Sequence, residues 1–266
     1  NFKEKTAEAE KKLGIKFIQI STESGLNVDI LKKEIVEKSP KFIEGEILIG
    51  DKIKAGDKIL LVAPQDIQAP KGRLILPQVQ VLRDILDFGG IPVMVTLDQL
   101  DEALKIFDGK PDLVITDSQV FKNVDEKLDR RVPLTSFSII MARSKGDLKT
   151  LYTGAKRIND LKSGDKVLIA EACTHHQLKG DIAREKIPML LKKKIPGLII
   201  ENSSGKDFPK NLESYSLVIH CGSCMLNRAE TMSRIEKCEY ITNFGLIIAE
   251  LNGILDRVVD IFNLKS

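Results

Sequence analysis

Two short motifs hold most of the metal-binding side chains in this sequence: Cys173-Thr174-His175 and, 44 residues on, His220-Cys221-Gly222-Ser223-Cys224. The pair reads C-x-H-x44-H-C-x-x-C. Thiolates are soft donors that select zinc or iron-sulfur clusters over magnesium and calcium, so these residues point to a metal centre. Spacing alone leaves both metals open, because a zinc site of three cysteines and one histidine would use the same side chains. His175 and His220 are each candidates for a fourth ligand, or for a hydrogen bond to a cluster sulfur. Gly222 has no side chain to obstruct a close approach of the Cys221–Cys224 turn to the metal. His176 and Cys238 carry no supporting spacing, and Cys238 is read as core.

The elements around the motifs must bring them together. An apolar strand, Lys166 to Ala170, runs into the first motif, and a second, Leu217 to Ile219, runs into the other. A parallel sheet would deliver both to one carboxyl edge, where open α/β sheets bind ligands. A helix expected from about Met225 to 237 would turn its free N–H groups toward an anionic centre. The fold class is α/β, with strands and helices alternating in two mostly parallel domains. In the first domain, strands are expected at Lys58 to Val62, Pro92 to Val95 and Leu113 to Thr116, with helices at Pro77 to Phe88 and Gln99 to Phe107. Past Pro133, helices are expected at Thr135 to Arg143 and Leu148 to Ile158. The second domain has further strands at Leu198 to Ile200 and Tyr240 to Thr242, and further helices at 181 to 194 and 246 to 259. No internal repeat stands out. Residues 1 to 40 read as an amphipathic Lys/Glu-rich segment, a strand Lys16 to Ile20 and a helix ending near Val36 before Pro40. That is too little to bury a core and resembles the tail of a larger α/β unit.

Composition narrows the function classes. The chain has 266 residues, enough for about two ordinary domains. It is 42% apolar and 30% charged, and no apolar run approaches the roughly 20 residues of a membrane span. A net charge of only +3, with Lys and Glu interspersed, indicates neither a nucleic-acid groove nor a lipid-binding face. The four cysteines, at 173, 221, 224 and 238, crowd into the C-terminal part of a chain read as lacking a secretory leader. In a cytoplasmic chain such a cluster reads as metal-binding rather than as a disulfide framework. There is no G-x-x-x-x-G-K-[ST] loop, no G-x-S-x-G elbow and no H-E-x-x-H helix.

Longer runs then become recognisable. Ala69-Pro70-Lys71-Gly72-Arg73-Leu74-Ile75-Leu76-Pro77-Gln78-Val79-Gln80 with Arg83-Asp84, Cys224-Met225-Leu226-Asn227-Arg228, Thr242-Asn243-Phe244-Gly245 and the cysteine motifs together resemble the [FeFe]-hydrogenase maturation GTPase family, HydF. The resemblance implies a remnant of a GTPase domain at 1–40, a dimerisation domain at 41–132 and an iron-sulfur cluster-binding domain at 133–266. GTP would bind only through the part of the GTPase domain missing here, so the chain reads as a scaffold rather than an enzyme. The resemblance further implies a homodimer holding a [4Fe-4S] cluster on Cys173, Cys221 and Cys224, with His175 and His220 matching motif histidines. With three cysteines, one cluster position stays exchangeable. The scaffold would receive a transient di-iron precursor from radical-SAM maturases and pass it to the hydrogenase catalytic subunit. The rival readings are a structural zinc-binding interaction module and a cluster-dependent electron-transfer protein.

Overall fold

A computed structural model describes residues 2–38, 47–64, 74–172, 181–205, 208–209, 211–224 and 226–264. The chain divides into two units, Asn1–Glu46 and Ile47–Ser266. In the first, α1 (Phe2–Leu13) and α2 (Val28–Lys38) flank a turn at Gly25 and Asn27, both with left-handed backbone. The Asn27 side chain ties this turn to the Gln19 carbonyl at 2.9 Å. The strand expected at Lys16–Ile20 is not formed: no ladder pairs it, and the Phe17 amide donates instead to the Glu10 carboxylate at 2.9 Å. α2 buries no side chain, and Ile35 and Val36 are 57% and 73% exposed.

The second unit begins with β1 (Lys58–Val62), α3 (Leu76–Asp87), β2 (Ile91–Val95), α4 (Leu100–Ile106), β3 (Leu113–Thr116), α5 (Phe121–Lys127) and β4 (Leu134–Ser136). The helices α6 (Phe137–Lys145) and α7 (Leu148–Lys156) follow. Next come β5 (Lys166–Glu171), α8 (Ile187–Lys194), β6 (Ile199–Ser204), β7 (Leu217–His220), α9 (Arg228–Glu236), β8 (Ile241–Asn243), α10 (Phe244–Leu251) and α11 (Leu255–Val259). Among the described residues two four-stranded sheets result, in the orders β2-β1-β3-β4 and β6-β5-β7-β8, with every pairing parallel. Central strands such as Ile59-Leu60-Leu61-Val62 and Leu217-Val218-Ile219 are wholly buried, which is why they read as unbroken apolar runs.

Three further expectations are corrected here. Residues 134–136 form a strand in the first sheet, and the helix starts at Phe137 because Ser136 caps it, its hydroxyl accepting from the Ile139 amide at 3.3 Å. The first sheet thus runs past the expected break at 132/133. The single helix expected over 246–259 is two, separated at Asn252–Ile254, where Gly253 takes a φ of +73°.

The third correction is that the unit is internally duplicated. Ala55-Gly56-Asp57-Lys58-Ile59-Leu60-Leu61 answers to Ser163-Gly164-Asp165-Lys166-Val167-Leu168-Ile169, and Leu134-Thr135-Ser136-Phe137-Ser138 to Ile241-Thr242-Asn243-Phe244-Gly245. Gly56 and Gly164 share φ near +90°, at +88° and +91°, and their amides bond to Gly89 O and Gly197 O at 2.8 and 3.0 Å. Asp57 and Asp165 each accept from the backbone amide three residues earlier, at 2.8 and 2.7 Å. Identical strand order, identical turn chemistry and matched caps mark two copies of one βα unit.

Candidate metal centre

Parallel pairing of β5 with β7 sets Ala170 beside His220, so both chains leave the sheet at the same carboxyl edge. Cys221 N–H donates to Ala170 O at 2.9 Å, continuing the ladder one residue beyond the strand. Ala172 N–H in turn donates to Cys221 Sγ at 3.1 Å. Amide donors of this kind stabilise a sulfur that carries negative charge. Cys221 is half-buried and Cys224 exposed, and neither forms a disulfide. Cys173 and His175, like His176, lie outside the described residues, and among the described ones no three His, Cys, Asp or Glu side chains gather as a metal site.

The loop between the two thiols is tightly built. Gly222 is open: a Cβ placed there would meet only Ser138 Oγ, at 4.0 Å. The left-handed residue is Ser223, at φ +56° and nearly fully buried. For a residue with a side chain this conformation costs about 1 kcal/mol or more and persists only where the surroundings hold it. Three contacts do so: Ser223 Oγ lies 3.2 Å from His220 Nδ1, and Ser223 O accepts from Lys145 Nζ and from the Leu226 amide, each at 3.0 Å.

His220 is buried, at 4% exposure. Burial pushes its imidazole down to about 4; the bond to the Cys221 carbonyl opposes that fall and the Arg234 charge adds to it. A neutral ring fits one tautomer: Nδ1–H donates to Cys221 O at 2.9 Å, and Nε2 accepts from Arg234 at 3.0 Å. Both ring nitrogens are thereby engaged within the protein. Arg234 is itself buried, reaches Glu230 at 3.3 Å and stacks over the Phe208 ring at 4.9 Å. Glu171, buried at the end of β5, pairs with Arg184 at 3.3 Å.

The helix expected from Met225 begins at Arg228 instead, with the Asn227 side chain capping the Glu230 amide at 2.8 Å. A turn, closed by Leu226 N–H to Ser223 O at 3.0 Å, separates Cys224 from that helix. Cys238 is packed against the core, and burial raises its thiol to about 11. Sequence reasoning missed Arg234 and Lys145, which reach the loop from separate helices and leave no spacing signature.

Residues 48–146 match the hydrogen maturase F dimerization domain, and residues 149–261 match the hydrogen maturase F tetramerization domain. Together the two span most of the chain. The chain belongs to the hydrogen maturase F family. Membership in HydF gives it a role in hydrogenase maturation and two domains named for self-association. No curated protein matches the chain. A solved NtrC family transcriptional regulator from Clostridium acetobutylicum is 12% identical over 79% of this chain and 99% of that one, but its TM-score of 0.25 is too low to bear on the fold. No helix among the described residues is long and apolar enough to cross a membrane.

Proposed function

We propose that this HydF chain is a maturation scaffold that holds a [4Fe-4S] cluster on Cys173, Cys221 and Cys224 at the carboxyl edge of its second sheet. One observation carries the reading: Ala172, the residue before Cys173, donates its amide to Cys221 Sγ. The donors suit the group, since soft thiols stand beside an amide donor and an open glycine. A cluster with three cysteine ligands supplies one exchangeable iron position, where a di-iron precursor can attach before transfer to the hydrogenase catalytic subunit. In this reading His220 orients the loop through Cys221 O and Ser223, because its two nitrogens are already used. His175, in the first motif, is the histidine left as a ligand candidate. Self-association through the two named domains and supply of the precursor by radical-SAM maturases complete the proposal, set in the cytoplasm where thiols stay reduced.

Anaerobic reconstitution followed by iron, sulfide and zinc analysis tests it. The expected product is brown, with about four irons and four sulfides per chain. A colourless protein with one tightly bound zinc and no sulfide would establish the structural zinc module instead.

A further inference from the structure

The run after the second cysteine, Leu226-Asn227-Arg228, and the C-terminal turn of α6 meet in a reciprocal contact. Lys145 Nζ donates to Ser223 O at 3.0 Å, to Cys224 O at 3.1 Å and to Leu226 O at 3.0 Å. In the other direction Arg228 donates to Ser144 O at 2.5 Å and Gly146 O at 3.1 Å, carbonyls at the end of α6. An ammonium has three donors, and here each meets a carbonyl of one short loop. The guanidinium likewise satisfies carbonyls that a helix end leaves without intrahelical partners. Lys145 lies in the segment matching the dimerization domain, and the loop in the segment matching the tetramerization domain.

We infer that Lys145 is a positioning residue for the cysteine loop, locked in place by Arg228, and that it sets both the loop's shape and the charge behind the proposed cluster. The second part rests on the cluster reading; the first does not. Three carbonyls converging on one cation fix the turn in which Ser223 must hold its left-handed backbone. In a planar trans peptide the N–H opposes the C=O, so the Cys224 amide is turned away from Lys145. Without the cation, the three carbonyl dipoles would face one another uncompensated and the loop would open. A fixed positive charge within one residue of a ligand also favours the reduced, more negative form of a cluster.

The test uses the full chain. In metal-free, reduced protein at one fixed pH, mass spectrometry follows alkylation of the half-buried Cys221 by N-ethylmaleimide. Lys145→Gln should speed this at least about tenfold, since modification requires local opening. Lys145→Arg should remain near the wild-type rate, and Arg228→Gln should speed it by a smaller factor. After anaerobic reconstitution, the Lys145→Gln cluster should reduce at a more negative potential than the wild type's. A Lys145→Gln protein with the wild-type melting curve, alkylation rate and potential overturns the inference. Should that variant fail to fold, Arg228→Gln decides, and a wild-type alkylation rate there overturns the latch. If the wild type takes up no iron and sulfide, the cluster reading falls while the alkylation series still judges Lys145.

Discussion

The two sheets of this chain are built alike and end differently. β3 and β7 occupy the same place in the same strand order, and the residue after each bonds back to the neighbouring strand: Asp117 N–H to Val62 O at 3.2 Å, Cys221 N–H to Ala170 O at 2.9 Å. In the first copy Thr116-Asp117-Ser118-Gln119 leads straight into helix, Asp117 capping a short turn by accepting from the Gln119 amide at 2.9 Å. In the second, His220-Cys221-Gly222-Ser223-Cys224 stands there instead, and the helix is delayed to Arg228. A capped turn satisfies its own amides and presents nothing soft. The longer loop gives up that cap for two thiols, a strained serine and an external lysine. The comparison teaches that the carboxyl edge is a place a parallel sheet can vary without disturbing its core: Ile115 and Ile219 are equally buried beneath it.

The sharpest way to break that comparison is to change the same position in both copies. Cys221→Ala or Cys224→Ala should abolish retention of iron and sulfide after reconstitution, as should Cys173→Ala. Asp117→Ala, one copy over, should leave the iron content unchanged while lowering stability by about 1 kcal/mol through loss of a cap. Iron analysis with a denaturant melt separates the two effects. Loss of the cluster on changing Asp117 would show that the first copy contributes to the centre. Cys238→Ala is the internal control, because its half-buried thiol packs against the core, donates to Arg234 O at 3.2 Å and is raised by burial to about 11, which disfavours the thiolate a metal needs.

A second test concerns packing where the copies meet. Ser138 and Gly245 are equivalent by sequence, each one residue after the phenylalanine that opens α6 or α10. They cannot both carry a side chain. A Cβ on Gly245 would stand 2.7 Å from Ser138 Oγ, 2.8 Å from Ser138 Cβ and 3.0 Å from Ser118 Oγ. Gly245→Ser should therefore cost about 1–3 kcal/mol as overpacking. Ser138→Gly in the same background should restore most of the loss, a coupling that a double-mutant cycle measures directly. Additive costs would mean that the contact is not shared.

Part of this was legible from sequence. Seven of the eight described strands follow from apolar runs between turn residues; the four central ones are buried on both faces and need no alternation to be seen. The eighth, Leu134–Ser136, is three residues long, too short for any period, and its Thr-Ser pair reads as readily as the start of a helix. The duplication was hidden for a similar reason. It survives in turns and caps, such as Gly56-Asp57 against Gly164-Asp165, while the connections differ: α4 follows β2, whereas no described helix lies between β6 and β7. At the site the thiols announced themselves by type and spacing. Lys145 did not, because the carbonyls it binds lie 78 to 81 residues along the chain and only the fold brings them near.

The smallest effects sharpen the comparison at the caps and beneath them. Ser136 and Asn243 cap equivalent helices; Ser136 Oγ also accepts from Ser118 Oγ at 3.0 Å, while Asn243 also donates to Ser138 O at 3.1 Å and Ser138 Oγ at 3.3 Å. Asn243→Ala should therefore cost about 2 kcal/mol, and Ser136→Ala about 1–2, since it removes a cap and the partner of the buried Ser118 hydroxyl. Next to each cap stands a buried threonine, Thr135 and Thr242, whose hydroxyl has no hydrogen-bond partner among the described residues. A buried hydroxyl left unsatisfied opposes folding, and valine keeps the shape without it. Thr135→Val and Thr242→Val should each raise stability by about 0.5–1 kcal/mol, equally and additively. Urea melts of the single and double variants measure this. A loss at Thr242 alone would mean that its hydroxyl meets a partner near the cysteine edge that Thr135 lacks, and the two copies would then differ in their cores as well as at their edges.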